Sequence, residues 1–176
     1  MSLADLFANN YFVRLVRGRT GDYDLIVSMI GVKLGDRLLQ IGGGDGLLLA
    51  ALGAKTGLTG QVSAVEPEAD AAARVKEQAT KDGVLSEVQV APPSHLPYDS
   101  GSFDVVVIPY PGADLPGAGE AFRVLRLGGR CAVIARSAGA ASAANAIPTL
   151  LQHQGFKGAR LIAERDVYTF FEAIKK

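Results

Sequence analysis

The stretch Leu38-Leu39-Gln40-Ile41-Gly42-Gly43-Gly44-Asp45-Gly46 constrains the fold of this chain more than any other. Arg37 to Ile41 is a short, mainly apolar run that stops at three consecutive glycines, and Leu47-Leu48-Leu49-Ala50-Ala51-Leu52 follows with helical character. The order is strand, tight turn, helix. Glycine at such a turn takes positive φ and leaves bare peptide for a ligand to lie against. The amides at the start of the helix supply unpaired donors there. A second strand, Gln61 to Val65, ends in Glu66, an acidic residue about 20 positions beyond the glycines, where a carboxylate accepts hydrogen bonds from ribose hydroxyls. Together these features point to a cofactor that carries a nucleoside.

The glycine spacing narrows the choice. A dinucleotide fingerprint, G-x-G-x-x-G, requires glycine where this chain has Leu47, and the pattern here is G-x-G-x-G at Gly42, Gly44 and Gly46. A nicotinamide-dependent oxidoreductase is therefore disfavoured.

Two later segments extend the signal. Leu96-Pro97-Tyr98-Asp99-Ser100-Gly101-Ser102-Phe103-Asp104-Val105-Val106 resembles an L-P-[FY]-x-x-x-S-F-D-x-V segment, and Glu120-Ala121-Phe122-Arg123-Val124-Leu125-Arg126-Leu127-Gly128-Gly129 resembles E-x-x-R-V-L-[KR]-P-G-G with Leu127 in place of the proline. With the glycine turn, the chain resembles the class I S-adenosylmethionine-dependent methyltransferases, in particular the methyltransferase type 11 or UbiE-like branch. That resemblance implies an α/β, doubly wound, Rossmann-like fold: a seven-stranded, mostly parallel sheet with an antiparallel C-terminal hairpin strand and helices on both faces. It implies S-adenosylmethionine as the cofactor and methyl transfer to a small-molecule acceptor. The contacts it implies are Gln40, Gly42, Gly43, Gly44, Gly46, Glu66, Pro67, Ser94, His95 and Tyr110. The catalytic residue stays unassigned, because alignment of donor and acceptor suffices for this chemistry.

The chain departs from the family pattern at two places. Gln40 stands where an Asp or Glu usually faces the methionine end; without a charge there, binding weakens by about 10- to 100-fold. Pro92 and Pro93 stand where a carboxylate and a backbone N–H usually meet the adenine, which leaves Ser94 and His95 as the nearest substitutes or as ordinary surface residues. These departures motivate an alternative expectation, a non-catalytic methyltransferase-like domain that binds or scaffolds a partner.

The bulk of the sequence bounds the rest. At 176 residues the chain reads as one domain over 1–176, with leading helices over 1–33 covering the cleft and a core over 34–176. Eighteen Lys and Arg balance eighteen Asp and Glu, so neither nucleic acid nor an anionic membrane is expected as a partner. No apolar run approaches the roughly 20 residues of a membrane span, and the expectation is a soluble, cytoplasmic protein. The single cysteine, Cys131, sits in a strand pattern and reads as a buried structural thiol, and no Cys or His cluster has metal spacing.

Helices are expected over 3–16, over Tyr23 to Ile30, and from Pro67-Glu68-Ala69-Asp70 to about Asp82; later helices are expected over Gly117 to Leu125 and from near Ala140 to Gln154. Strands are expected at Glu87 to Val90, Asp104 to Ile108, Arg130 to Ala135, Ala159 to Ala163 and Tyr168 to Ile174, with Glu164-Arg165-Asp166 as a hairpin. Tyr11, Arg14 and Tyr23 are candidates for the substrate entrance or plain helix surface. Tyr110 and Asp114 are candidates beside the transferred group, and His153 should face solvent. The short connection from Tyr110 to Gly117 implies a compact acceptor, or a site completed by a second copy in a homodimer.

Overall fold

The apolar run of β1 (Arg37–Ile41) is buried on both faces, as a central parallel strand covered by helices must be. It pairs in parallel with β2 (Gln61–Glu66) on one side and β4 (Phe103–Tyr110) on the other. The computed structural model describes residues 23–42, 45–110, 115–136, 140–165 and 168–176, and the side chains of residues 110, 136 and 140–145 lie outside that description. The expected helix over 3–16, with Tyr11 and Arg14, and the candidate Asp114 also fall outside it.

Three further strands, β3 (Glu87–Val90), β5 (Leu125–Arg136) and β7 (Tyr168–Ile174), and an edge strand β6 (Lys157–Arg165) complete a seven-stranded sheet in the order β3-β2-β1-β4-β5-β7-β6. β7 runs antiparallel to both its neighbours, and the other described pairings are parallel. On one face lie α1 (23–30), α2 (Leu47–Thr56) and α3 (Ala69–Lys81), with Ile26, Leu49, Leu52 and Val75 packed against Leu38, Val105, Val107, Ile134 and Phe170. On the other lie α4 (Ala118–Val124) and α5 (Ala140–His153), where Ala121, Ile147 and Leu151 meet Leu39, Val106, Cys131, Val133 and Phe171. Successive strand residues point to opposite faces, so each central strand feeds both cores.

β4 contains an instructive irregularity. Phe103 and Val105 are two residues apart and would share a face in a regular strand, yet Phe103 joins the α4–α5 side and Val105 the α1–α3 side. The register shifts between them: β5 advances from Leu125 to Arg130 while β4 advances from Phe103 to Val105. This is why β5 begins at Leu125 rather than at the expected Arg130. Gly128, at φ 76, turns the extra segment, and Gly128 N–H and Gly129 C=O bond to the backbone of Lys175.

Asp104 anchors the same corner. Its carboxylate accepts the Arg37 N–H at 2.8 Å and Arg37 Nε at 3.0 Å, and it also pairs with Arg126 Nε. The carboxylate thus ties the starts of β1 and β4 to the excursion in β5. β6 is longer than expected, because Lys157 pairs with Ile174 and Arg165 with Tyr168. That pairing leaves only residues 166 and 167 for the turn, and these lie outside the described residues. Two register shifts interrupt β6 against β7, a feature that blunts an exposed sheet edge. Cys131 is wholly buried in β5, and burial pushes its thiol up to about 12, which fits a packing role. His153 is exposed near the end of α5.

Burial opposes ionisation of Asp104, but the hydrogen bonds from Arg37 and Arg126 outweigh it and hold the carboxyl well below the usual carboxylate range. A depressed folded value means the contribution is complete above the unfolded value near 4 and fades as pH falls toward the folded one. Asp104→Asn should lower stability by about 1–2 kcal/mol at pH 7, discounted for the exposed arginines, and by a moderately smaller amount at pH 3, where the unfolded chain already takes up the proton but the folded carboxyl stays ionised. Urea unfolding of both proteins at the two pH values measures the difference.

Candidate functional site

At the end of β1 the backbone turns at Gly42, whose φ of 71 suits glycine. Its N–H donates to Val65 C=O at 2.8 Å, fixing the turn to β2, and its C=O accepts from Gln40 Nε2 at 2.8 Å. Gln40 is fully buried, and its Oε1 has no hydrogen-bond partner among the described residues. A Cβ at Gly42 would meet nothing within 4 Å, so the turn opens onto free space. Gly46 is different. It precedes α2 at φ 76, and a Cβ there would lie 2.8 Å from Val75 C=O, so this glycine lets the start of α2 press against α3. Asp45 Oδ1 accepts the Leu47 N–H at 3.0 Å, occupying one of the orphan donors of the helix start. Gly43 and Gly44 lie outside the described residues.

The turn borders a cleft of about 480 Å³, within the range of small-molecule sites. Gly42, Asp45, Glu66 and Pro67 form its side above β1 and β2, Pro93 and Pro116 close it from the loops, and Ile108 and Pro109 bring in β4. Tyr23, Ile26, Ile134 and Tyr168 continue it toward β5 and β7. Its place follows from topology. Strand order reverses between β1 and β4, so the loops leaving their carboxyl ends part in opposite directions and leave a crevice. Glu66 is only 4% exposed, at the tip of β2.

Of the residues singled out in the sequence, the structure brings Tyr23, Gly42, Glu66 and Pro67 to this cleft, with Gln40 and Gly46 shaping its turn. Ser94 and His95 do not join it. The Pro92 C=O accepts the His95 N–H at 3.0 Å, a tight turn that presents Pro93 to the cleft and leaves both side chains exposed. The Tyr110 side chain lies outside the description, and its neighbour Pro109 lines the cleft. Asp45 and Tyr168 were not singled out as lining a site. Asp45 had a legible signal, its place inside the glycine turn; Tyr168 had none, because it reaches the cleft only through the inserted position of β7.

His95 instead borders a larger hollow of about 610 Å³ near the other end of the sheet, with Arg37, Tyr98, Asp99 and Arg123. Its cations are engaged. Arg37 is held by Asp104, and Arg123 forms a clamp: Nε donates to Glu120 Oε1 at 2.7 Å, Nη1 to Tyr98 C=O at 2.7 Å and Nη2 to Leu96 C=O at 3.0 Å. Glu120 Oε2 also accepts the Leu96 N–H at 2.7 Å. Arg123, together with the Leu96 N–H, holds the Glu120 carboxyl down at about 2 against the opposing effect of burial. The E-x-x-R and L-P-Y segments are therefore two halves of one structural fastening between α4 and the loop entering β4. Tyr98 adds an edge-to-face contact with Phe103 at 4.9 Å.

Residues 39–133, more than half of the chain, match the profile of the methyltransferase domain. The chain belongs to that family. Membership makes it a methyl-transferring enzyme with S-adenosylmethionine as donor. No curated protein matches the sequence. Among solved structures, a SAM-dependent methyltransferase from Aquifex aeolicus superposes with a TM-score of 0.77 at 18% identity, covering 88% of this chain and 90% of that one. A SAM-dependent O-methyltransferase from Thermotoga maritima gives 0.70 at 20% identity over 89% of this chain and 65% of that one. A Thermotoga maritima protein described as a possible histamine N-methyltransferase gives 0.64 at 17% identity, covering 97% of both chains. At these identities the structural likeness establishes the methyltransferase fold.

The two described turn glycines of this methyltransferase domain should separate on substitution. Gly42→Ala should fold with a loss of about 1–2 kcal/mol from the left-handed backbone alone. Gly46→Ala should lose clearly more, because its methyl group meets Val75 C=O and Gln78 Cβ as well. Thermal melts of the two variants test the order.

Proposed function

We propose that S-adenosylmethionine lies across the β2–β1–β4 part of the cleft and that its methyl group passes to a small-molecule acceptor. The observation that carries this reading is the pairing, on one crevice, of an open backbone turn at Gly42 with the nearly buried carboxylate of Glu66. The residues present fit such a donor. Glu66 supplies acceptors for ribose hydroxyls, and Gly42 supplies open peptide surface, since a Cβ there would meet nothing within 4 Å. The unpartnered Oε1 of Gln40, buried beneath that turn, is an acceptor suited to an ammonium. Pro67 and Pro93 offer flat apolar walls to a base, which compensates in part for the hydrogen bonds Pro93 cannot make.

When bound, the cofactor supplies a methyl group on a sulfonium. An acceptor lone pair forms the new bond to that carbon as the carbon–sulfur bond breaks with its electrons going to sulfur, and the acceptor's proton leaves to solvent. Positive charge disappears in this step, so the chain contributes chiefly by alignment of donor and acceptor in the cleft. Tyr23 and Ile26 on the cleft wall support a covering role for the residues before 34, within one domain.

Titration calorimetry tests this placement. S-adenosylhomocysteine and S-adenosylmethionine should bind, and Glu66→Ala should weaken both by about 10- to 100-fold through lost charge-assisted hydrogen bonds. Glu66→Ala binding both ligands as tightly as wild type would overturn this placement of the cofactor.

A further inference from the structure

The cleft is divided by chemistry along the sheet. Its charged lining residues among those described, Asp45 and Glu66, both lie at the β2–β1 end. The opposite end, over β5 and β7, is made by Ile134 and Tyr168 with Tyr23 and Ile26 from α1. Pro109 and Ile134 are paired across β4 and β5, and Ile134 is paired with Phe170 on β7, so these residues form one continuous row. Tyr168 is two positions from Phe170 and shares its face, with ring centroids 6.3 Å apart. Tyr23 and Ile26, three apart on a helix, descend on that row from above.

Resting on the cofactor reading above, we propose that this β5–β7 end is the acceptor subsite and that it takes a neutral, ring-bearing small molecule. The place is fixed by continuity: Pro109 at the tip of β4 borders both halves, so a molecule in the apolar half abuts one held by Gly42 and Glu66. The chemistry follows from desolvation. An anionic acceptor would meet no described cation on these walls and would face the carboxylates of Asp45 and Glu66. A cationic one would shed its water against Ile26 and Ile134, which are 2% and 6% exposed. A flat neutral ring loses little on leaving water and gains contact with two aromatic side chains.

The chain has no tryptophan, so the fluorescence of 2-naphthol reports its binding directly. With S-adenosylhomocysteine saturating, 2-naphthol should bind about tenfold or more tightly than 2-naphthyl phosphate. Tyr168→Ala and Tyr23→Ala should each weaken 2-naphthol by about tenfold, with S-adenosylhomocysteine affinity by calorimetry held within about twofold. If S-adenosylhomocysteine binds wild type but the phosphate ester binds as well as the naphthol, the acceptor assignment is overturned while the cofactor reading stands. The acceptor assignment falls equally if both alanine variants leave 2-naphthol unchanged, or if 2-naphthol fails to bind at millimolar concentration. Failure of S-adenosylhomocysteine itself to bind overturns the cofactor reading, and the acceptor assignment with it.

Discussion

The architecture of the site depends on where β1 and β4 cease to pair. Their described register ends at Gln40 and Val107, after which β1 hands its backbone to the glycine turn and β4 runs on beside β5 alone. Beyond that point β4 carries Pro109, a residue that a strand paired on both sides tolerates poorly. The divergence of two buried parallel strands opens the crevice, and it does so at a height set by one side chain. Gln40, itself part of the paired segment, reaches up to the Gly42 carbonyl and fixes the first residue that is no longer in the sheet.

The family segments divide into two kinds of work. The glycine turn and Glu66 border the cleft, whereas Glu120, Arg123, Leu96 and Tyr98 fasten α4 to the loop that enters β4. The second group touches the cleft only indirectly. Gly117, at the start of α4, leaves room for nothing larger against Pro93, since a Cβ there would lie 2.9 Å from the Pro93 carbonyl. Lys175 continues the fastening from the end of β7, donating to the Arg123 and Leu125 carbonyls and lying 4.9 Å from the Phe122 ring. Motif strength in a sequence thus measures packing constraint as much as contact with a ligand.

Much of the fold was legible because its signals are local. β1, β3 and β7 have the bounds that their apolar runs and flanking residues suggest, and α3 stops beside Gly83 at φ 77. What escaped was set by distant partners. β5 starts early because Leu125 pairs with Phe103 across a bulge, and no periodicity announces a bulge. Ser94 and His95 read as ligand groups by their distance from Leu96-Pro97, but a four-residue turn closed on the Pro92 carbonyl directs them outward. In the apolar half of the cleft Tyr23 was a candidate, whereas Tyr168 was hidden for a similar reason. Tyr168 and Tyr23 are 145 positions apart in sequence, and only the insertion of β7 beside β5 brings them to one wall.

Cys131 sits at the centre of β5, paired to Val106 and Ala173 on either side, and its sulfur is sealed from solvent. With no second cysteine in the chain, it can form no internal disulfide, and while the sheet is closed, reagents that alkylate thiols have no path to it. The chain therefore carries a single built-in clock for its own opening: the rate at which that sulfur becomes modified is governed by how often the middle of the sheet comes apart.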